Sequence, residues 1–250
     1  GMATTGLIPF ASTYAVFASM RALDQVRNSI HYPRLNVKIA ASHSGITPGP
    51  DGVTHQGQED LSILRAIAYS TIIAPADGVS AKLAVRAAAD WKGPVYLSFT
   101  RDPVPLLFET GYPFQIGKAV RVRDGADATI IANRDMVAQS LVAAEQLASK
   151  GIDVRVIDCH TLKPLDVETV LQAARETGAL VTAENNVIYG GLGSAVAEVL
   201  VENHPIPMKR IGVRDIFTES APYLDLLKKY GLSADHIAEA VEDVLKRKKG

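Results

Sequence analysis

The 250-residue chain has a single cysteine, Cys159, which excludes an intrachain disulfide and any site built from several thiolates. Cys159 ends an apolar run that is typical of a strand, so we expect a buried residue rather than a nucleophile. The chain also lacks an excess of one charge, since it has 26 basic and 27 acidic residues. This balance of charge does not indicate binding to nucleic acid or to an anionic membrane.

Long apolar runs are missing too. No stretch reaches the ~20 residues that span a bilayer, and no signal peptide is visible, so we predict a cytoplasmic protein. Apolar residues make up 47% and charged residues 21% of the chain, as in an ordinary globular protein. The length suits one large domain or two modest ones.

Short apolar runs alternate with longer helical patterns throughout the chain. The apolar runs, which predict strands, are 8–12, 37–41, 71–75, 95–99, 128–132, 154–158, 179–183 and 209–213. The helical patterns are 13–30, 58–67, 79–90, 136–150, 166–176, 192–203, 222–230 and 234–248. This alternation predicts an α/β fold with two mostly parallel sheets flanked by helices. A proline-rich stretch at 102–117 lacks periodicity and predicts a boundary between domains 1–115 and 116–250.

The most informative segment is 42–56, a loop rich in glycine and proline that follows a strand pattern. It carries His43, Asp51 and His55 at the end of a strand, where open α/β sheets place ligands. Imidazole titrates near neutral pH and carboxylate accepts hydroxyl hydrogen bonds, so the three could bind a polyol and move its protons. Each alone could instead fix the loop, with Asp51 as a turn residue before Gly52.

Two other features carry possible chemistry. Tyr14, Phe17 and Met20 recur every third residue at the start of the first helical pattern. Such a stripe packs in a core or presents a flat slot for a heteroaromatic ring. Arg101 follows the fourth apolar run and could hold a phosphate or carboxylate bidentately, or pair with Asp102.

A glycine-rich turn at 190–194 stands where a strand pattern becomes a helix pattern. The helix N-terminus could hold an anion, but both nucleotide-binding fingerprints are missing, which favours a tight turn. The preceding residues 184–186 could face a subunit interface.

Taken together, these segments resemble the C-terminal half of the thiamine-diphosphate-dependent transketolases, which in many microbes is a separate subunit. The matching segments follow in the family's order and are 3–17, 42–47, 51–56, 75–77, 163–166 and 190–194. The His-x7-Asp-x3-His spacing is specific, and the resemblance covers essentially the whole chain. It implies a pyrimidine-binding domain up to about residue 112 and a transketolase C-terminal domain from about residue 118.

By that resemblance, the cofactor is thiamine diphosphate with Mg²⁺. Tyr14 and Phe17 fall where the family stacks the aminopyrimidine ring, and Met20 replaces the last member of that aromatic set. The domain that holds the diphosphate and Mg²⁺ is not in this sequence, and in split enzymes a partner subunit carries it. We therefore predict no metal ligand in this chain, and an N-terminal transketolase subunit as its partner in a homodimer or heterotetramer.

The resemblance also implies phosphosugar substrates. His43, Asp51 and His55 fall where the family binds the sugar hydroxyls and carbonyl, and Arg101 matches the arginine that meets the sugar phosphate. The implied reaction moves a two-carbon ketol group from a ketose to an aldose.

One expectation concerns the start of the chain. The family's catalytic glutamate lies upstream of the segment that begins at Ala3, so we expect the glutamate and the first strand and helix of the pyrimidine domain to be absent. The pyrimidine-binding domain would then be incomplete, and the chain alone would be catalytically inactive.

Three alternatives remain open. The 1-deoxyxylulose-5-phosphate synthases share segments 51–56 and 163–166, but we expect them to lack a histidine at position 43. A 2-oxoacid dehydrogenase β subunit fits less well, because the pair His43 and Asp51 suits polyols. A non-catalytic scaffold homologue would keep only the fold and a dimer surface.

Overall fold

The computed structural model describes residues 1–249, and within them two five-stranded sheets are flanked by helices. The strands are β1 (Phe10–Tyr14), β2 (Lys38–Ser42), β3 (Thr71–Ile73), β4 (Val95–Ser98), β5 (Val120–Arg123), β6 (Ala128–Ala132), β7 (Val154–Asp158), β8 (Thr161–Lys163), β9 (Leu180–Val187) and β10 (Met208–Val213). The α-helices are α1 (Leu23–Gln25), α2 (Asp60–Ala66), α3 (Gly78–Asp90), α4 (Met136–Ala148), α5 (Val167–Thr177), α6 (Leu192–Asn203), α7 (Tyr223–Lys229) and α8 (Ala234–Lys249). The predicted α/β class is confirmed. No helix in this part of the chain combines the length and apolar character needed to cross a bilayer.

The first sheet has the strand order β1-β2-β4-β3-β8. Its first four strands run parallel, and β8 pairs antiparallel with β3. Because β8 follows β7 of the other sheet along the chain, the second half of the sequence completes the first sheet. The apolar pattern did not predict β8 or β5, which are short antiparallel strands at sheet edges.

The second sheet has the order β10-β9-β6-β7-β5, with only β5 antiparallel. Strands β6 and β7 are buried at every position, because helices cover both faces of a doubly wound sheet. The chain steps from β6 to β7 on one side and later returns to place β9 on the other side. The boundary between β6 and β9 is therefore the topological switch point of this sheet.

The start of the chain differs from the prediction. Strand β1 continues to Tyr14, which pairs with Ser42 of β2, so the predicted helix over 13–30 is wrong at its beginning. The helical segment starts at Ala15, and π-helical turns at Phe17–Arg21 and Val26–His31 lie on either side of α1. Pairing with β2 determines the length of β1, and the periodicity of residues 13–30 carries no information about that pairing.

The predicted linker between the two series is irregular and partly exposed, and it contacts both domains. Asp77 accepts the backbone N–H groups of Leu107 and Phe108, each at 3.0 Å. The Phe114 ring stacks on His160 with centroids 4.1 Å apart. Cys159 is buried, as predicted.

Candidate active site

The candidate site lies at the carboxyl ends of three neighbouring strands of the first sheet. Tyr14 ends β1, His43 follows β2, and Arg101 follows β4. Because these strands are parallel and adjacent, the residues that follow them meet at one edge of the sheet. The topology thus brings together residues that lie far apart in the sequence.

Four rings form a half-buried aromatic cluster at this edge. The Tyr14 ring stacks on the His43 imidazole with centroids 3.7 Å apart and planes 15° from parallel. Phe17 lies nearly parallel to Tyr14, with centroids 5.6 Å apart and an angle of 17°. His55 meets Tyr14 and Phe17 edge-on at 5.8 Å and 5.7 Å. The cluster therefore combines two flat faces with two imidazoles.

Met20 lies on the same π-helical turn as Phe17, with 39% of its surface exposed. Tyr14 belongs to β1 and not to that turn. The three residues thus do not form the helical stripe that their spacing predicts, although Tyr14 and Phe17 do meet.

A chain of charged groups borders the rings. Asp51 places Oδ2 at 2.9 Å from Nε of Arg101 and 3.9 Å from Nε2 of His43. Arg101 also donates from Nη1 to Asp102 Oδ1 at 2.8 Å. The carboxylate pairing considered for Arg101 is therefore present, and the same side chain stands beside the histidine loop.

The environment of His43 favours a neutral imidazole at pH 7. Burial lowers its pKa, the positive charge of Arg101 lowers it further, and Asp51 acts in the opposite direction. Its Nδ1 lies 2.9 Å from the Ser42 hydroxyl, which orients the ring. A neutral imidazole can accept a proton from a hydroxyl group.

Sequence reasoning missed the hydroxyl partners of both histidines. Ser42 contacts His43, and the Thr54 hydroxyl lies 3.0 Å from Nδ1 of His55. Each partner directly precedes its histidine in the sequence, so the dipeptides Ser-His and Thr-His were the available signal.

The glycine-rich turn at 190–194 binds a carboxyl group of the protein itself, that of Glu184. The Glu184 carboxylate accepts the N–H groups of Leu192 and Gly193, each at 2.8 Å, at the start of α6. A Cβ atom on Gly191 would lie 2.0 Å from Glu184 Oε2. Burial raises the pKa of Glu184 to about 7, against the opposing effect of those N–H bonds. Residues 184–186 are fully buried, so the interpretation that they face a subunit interface is wrong.

Among residues 1–249, no group of three or more His, Cys, Asp or Glu side chains is arranged to hold a metal ion.

Two family profiles match this chain. Residues 1–105 match the profile described as "Transketolase, pyrimidine binding domain", and residues 117–237 match "Transketolase, C-terminal domain".

Similar proteins agree with those profiles. The 6-deoxy-6-sulfo-D-fructose transketolase subunit of Clostridium sp. (strain MSTE9) is 45% identical over 99% of this chain and 77% of its own length. A solved structure described as "Split gene transketolase, inactive beta4 tetramer" has a TM-score of 0.94 and 47% identity, over 99% of this chain and 80% of that one. A 1-deoxy-D-xylulose-5-phosphate synthase of Desulforudis audaxviator (strain MP104C) is 38% identical over 97% of this chain, which is 38% of that protein.

Proposed function

The chain belongs to the transketolase family, and from that premise we propose that it is the C-terminal subunit of a split transketolase that moves two-carbon ketol groups between phosphosugars. The observation that carries the proposal is the convergence of an aromatic face, a neutral imidazole, a carboxylate and a guanidinium at one sheet edge. Each group matches one need of a phosphosugar reaction.

The aromatic cluster suits a flat heterocycle. Transketolases use thiamine diphosphate, which when bound supplies the electron sink for breaking a carbon–carbon bond. Tyr14 and Phe17 are only half-buried and nearly parallel, which fits stacking against an aminopyrimidine ring. In this proposal the N-terminal subunit holds the diphosphate and Mg²⁺, and this chain supplies the pyrimidine side.

The polar residues suit the sugar. His43 accepts a proton from a substrate hydroxyl, because its lowered pKa leaves the imidazole neutral at pH 7. Its Nε2 lies 3.9 Å from Asp51 Oδ2. Asp51 and His55 bind further hydroxyls. Arg101 binds the phosphate, in exchange for one of its two carboxylate partners.

We further propose that the chain is inactive without its partner. A protein 47% identical to it is described as an inactive β4 tetramer. Strand β1 is an edge strand with four of its five residues exposed, including Phe10 at 42%. Such an edge favours association with another chain.

Titration calorimetry provides the first test. Thiamine diphosphate with Mg²⁺ is titrated into this chain alone, and then into its mixture with an N-terminal transketolase subunit. We expect binding only in the mixture, followed by ketol transfer from xylulose 5-phosphate to an aldose phosphate. Loss of the general base in His43→Ala should lower kcat/KM roughly 100-fold, whereas His204→Ala at the end of α6 should leave it unchanged.

The other outcomes identify the alternatives. Turnover of pyruvate with glyceraldehyde 3-phosphate, and none of xylulose 5-phosphate, would assign a deoxyxylulose-phosphate synthase, to which the chain is also similar. A folded mixture that binds no cofactor would contradict catalysis and favour a scaffold.

A further inference from the structure

The switch point of the second sheet is filled by the first domain. In open α/β sheets, the crevice at the carboxyl ends of the strands beside the switch point is the usual ligand site. Here Arg134 and Asp135 follow β6, and Asn185 and Asn186 lie near the end of β9, all no more than 4% exposed. The β9 residues beyond Ala183 have no partner on β6 and project past the end of that strand. The loop that carries His43 occupies the place of a ligand.

Asn185 contacts that loop directly. Its Oδ1 accepts the backbone N–H of Ile46 at 3.0 Å. The backbone approaches so closely at Gly45 that a Cβ atom there would lie 2.0 Å from the Asn185 carbonyl oxygen, and Gly45 has a left-handed φ of +63°. The Ile46 side chain is fully buried and belongs to the hydrophobic core of the second domain. The loop is thus held by both a hydrogen bond and packing.

The Asn185 side chain is itself fixed in one orientation. Its Nδ2 donates to Asp135 Oδ2 at 2.8 Å, and the Tyr223 hydroxyl donates to the same carboxylate. Arg134 donates from Nη2 to the Asn185 carbonyl oxygen at 2.7 Å. With its donor engaged by Asp135, the amide presents its oxygen to Ile46.

A second series of hydrogen bonds connects the second domain to Ser44, at the other end of the 44–46 segment. Arg134 donates from Nη1 to the Ser98 hydroxyl at 2.7 Å, and Ser98 donates to Ser44 at 2.8 Å. Ser44 then donates to Asp60 at 2.9 Å. His43, with a left-handed φ of +64°, lies between β2 and this clamped segment. Both anchors act on the residues that directly follow the imidazole.

We infer that Asn185 is a positioning residue, which holds the His43 loop in its site geometry across the domain boundary through the Ile46 N–H. We call the contacts of Asn185 and Arg134 with residues 44–46 the clamp. The role of this geometry in ketol transfer rests on the proposed function, whereas the clamp itself does not. The second domain then uses its switch-point crevice to orient the site of the first domain.

Histidine NMR and amide hydrogen exchange on the chain by itself test the clamp. In Asn185→Ala, the Ile46 amide should exchange at least ten-fold faster than in the wild type. The pKa of His43, assigned by comparison with His43→Gln, should return toward its ordinary value as the loop loosens.

Thr129→Val is the matched control. It removes a buried hydroxyl near the start of β6, in the same sheet as Asn185. That hydroxyl lies 3.0 Å from the Thr177 hydroxyl and has no hydrogen bond to the His43 loop. This variant should leave both the Ile46 exchange rate and the His43 titration unchanged. Equal changes in the two variants, or none in a folded Asn185→Ala, would overturn the inference.

The wild type gives a second measurement that does not depend on a variant's folding. If the clamp holds, the Ile46 amide exchanges as slowly as the amides of β9. Exchange at the rate of the exposed loop residues Val53 and Thr54 would contradict the clamp.

The effect of the clamp on catalysis is measured in a separate experiment. With the N-terminal subunit, Asn185→Ala should lower kcat for ketol transfer about ten-fold while thiamine diphosphate still binds. If wild-type mixtures show no transfer but the exchange results hold, the proposed function fails and the clamp stands. If transfer is normal in Asn185→Ala, the clamp has no catalytic role.

Discussion

The carboxyl edges of the two sheets differ in how far their polar residues are exposed to solvent. In the first sheet, Tyr14 at the end of β1 and His43 after β2 stay partly exposed, and the Arg101 side chain after β4 is 38% exposed between two carboxylates. In the second sheet, Arg134 after β6 and Asn185 and Asn186 near the end of β9 are fully buried. Related architectures thus produce one open crevice and one closed crevice.

The difference shows what a ligand crevice needs beyond topology. At both edges a guanidinium lies beside a carboxylate, and the buried one also donates to the Ser98 hydroxyl. In the closed crevice, Arg134 donates to Asp135, Asn185, Asn186 and Ser98, and Ser98 comes from the other domain. The open crevice lacks such a cover within residues 1–249, which leaves its polar groups accessible to a substrate.

Removing the buried guanidinium should have the largest effect on stability. We expect Arg134→Ala to lower the free energy of unfolding by about 3–5 kcal/mol, because Asp135 and the Asn185 carbonyl lose a buried charged partner. Urea denaturation measures the change. A loss no larger than for an exposed arginine would show that the closed crevice is solvated.

The carboxylate under the glycine-rich turn should make stability depend on pH. Burial raises the pKa of Glu184 from 4.5 to about 7, so the folded state holds this proton more tightly than the unfolded state does. The resulting stability is present below pH 4.5 and is lost as pH rises toward 7, by at most about 3 kcal/mol.

Glu184→Gln measures that contribution. The difference in unfolding free energy between wild type and variant should fall as pH rises over this window. Glu202→Gln changes an exposed residue of α6, the helix whose first N–H groups Glu184 binds, and should show a constant difference. A flat difference for Glu184→Gln would contradict the raised pKa.

The contact between the two domains can be tested with a pair of glycines. Gly45 and Gly151 both have left-handed φ, but a Cβ atom at Gly151 meets nothing within 4 Å. Alanine at either position bears the same kind of backbone strain, so Gly45→Ala should cost about 2 kcal/mol more through overpacking against Asn185. Thermal unfolding of both variants gives the difference, and equal losses would argue against the close approach.

The smallest stability effect is expected in the open crevice. Arg101→Ala should leave the denaturation midpoint unchanged, because the ion pairs of an exposed guanidinium contribute little. In the complex with an N-terminal subunit, it should raise KM for the donor phosphosugar roughly ten-fold, since a charged hydrogen bond to phosphate is lost. A changed midpoint with an unchanged KM would assign Arg101 a structural role.

Much of the framework was predictable from local patterns. Strands β6 and β7 have the predicted bounds, because both are buried on two faces and appear as continuous apolar runs. The ends of α5 follow local rules as well, since Asp166 caps its first turn and Gly178 ends it in a left-handed conformation. The loop after β2 was also singled out by its two histidines and its aspartate, and the structure brings His43 and Asp51 close to Arg101.

Other features had no local signal. The sequence predicted a helix at Tyr14, where pairing with β2 extends a strand. Residues 184–186 were predicted to face a subunit interface, but they are buried, and the first domain covers Asn185 and Asn186. Strand β8 joins a sheet whose other strands come from the first half of the chain.

Local sequence was therefore sufficient for the α/β class, the order of most elements and the residue types on the His43 loop, because periodicity, capping and turn composition act over a few residues. Only the tertiary structure decided which crevice stays open. That outcome depends on the pairing of strands and on contacts such as Ile46 to Asn185, which are 139 residues apart in the chain.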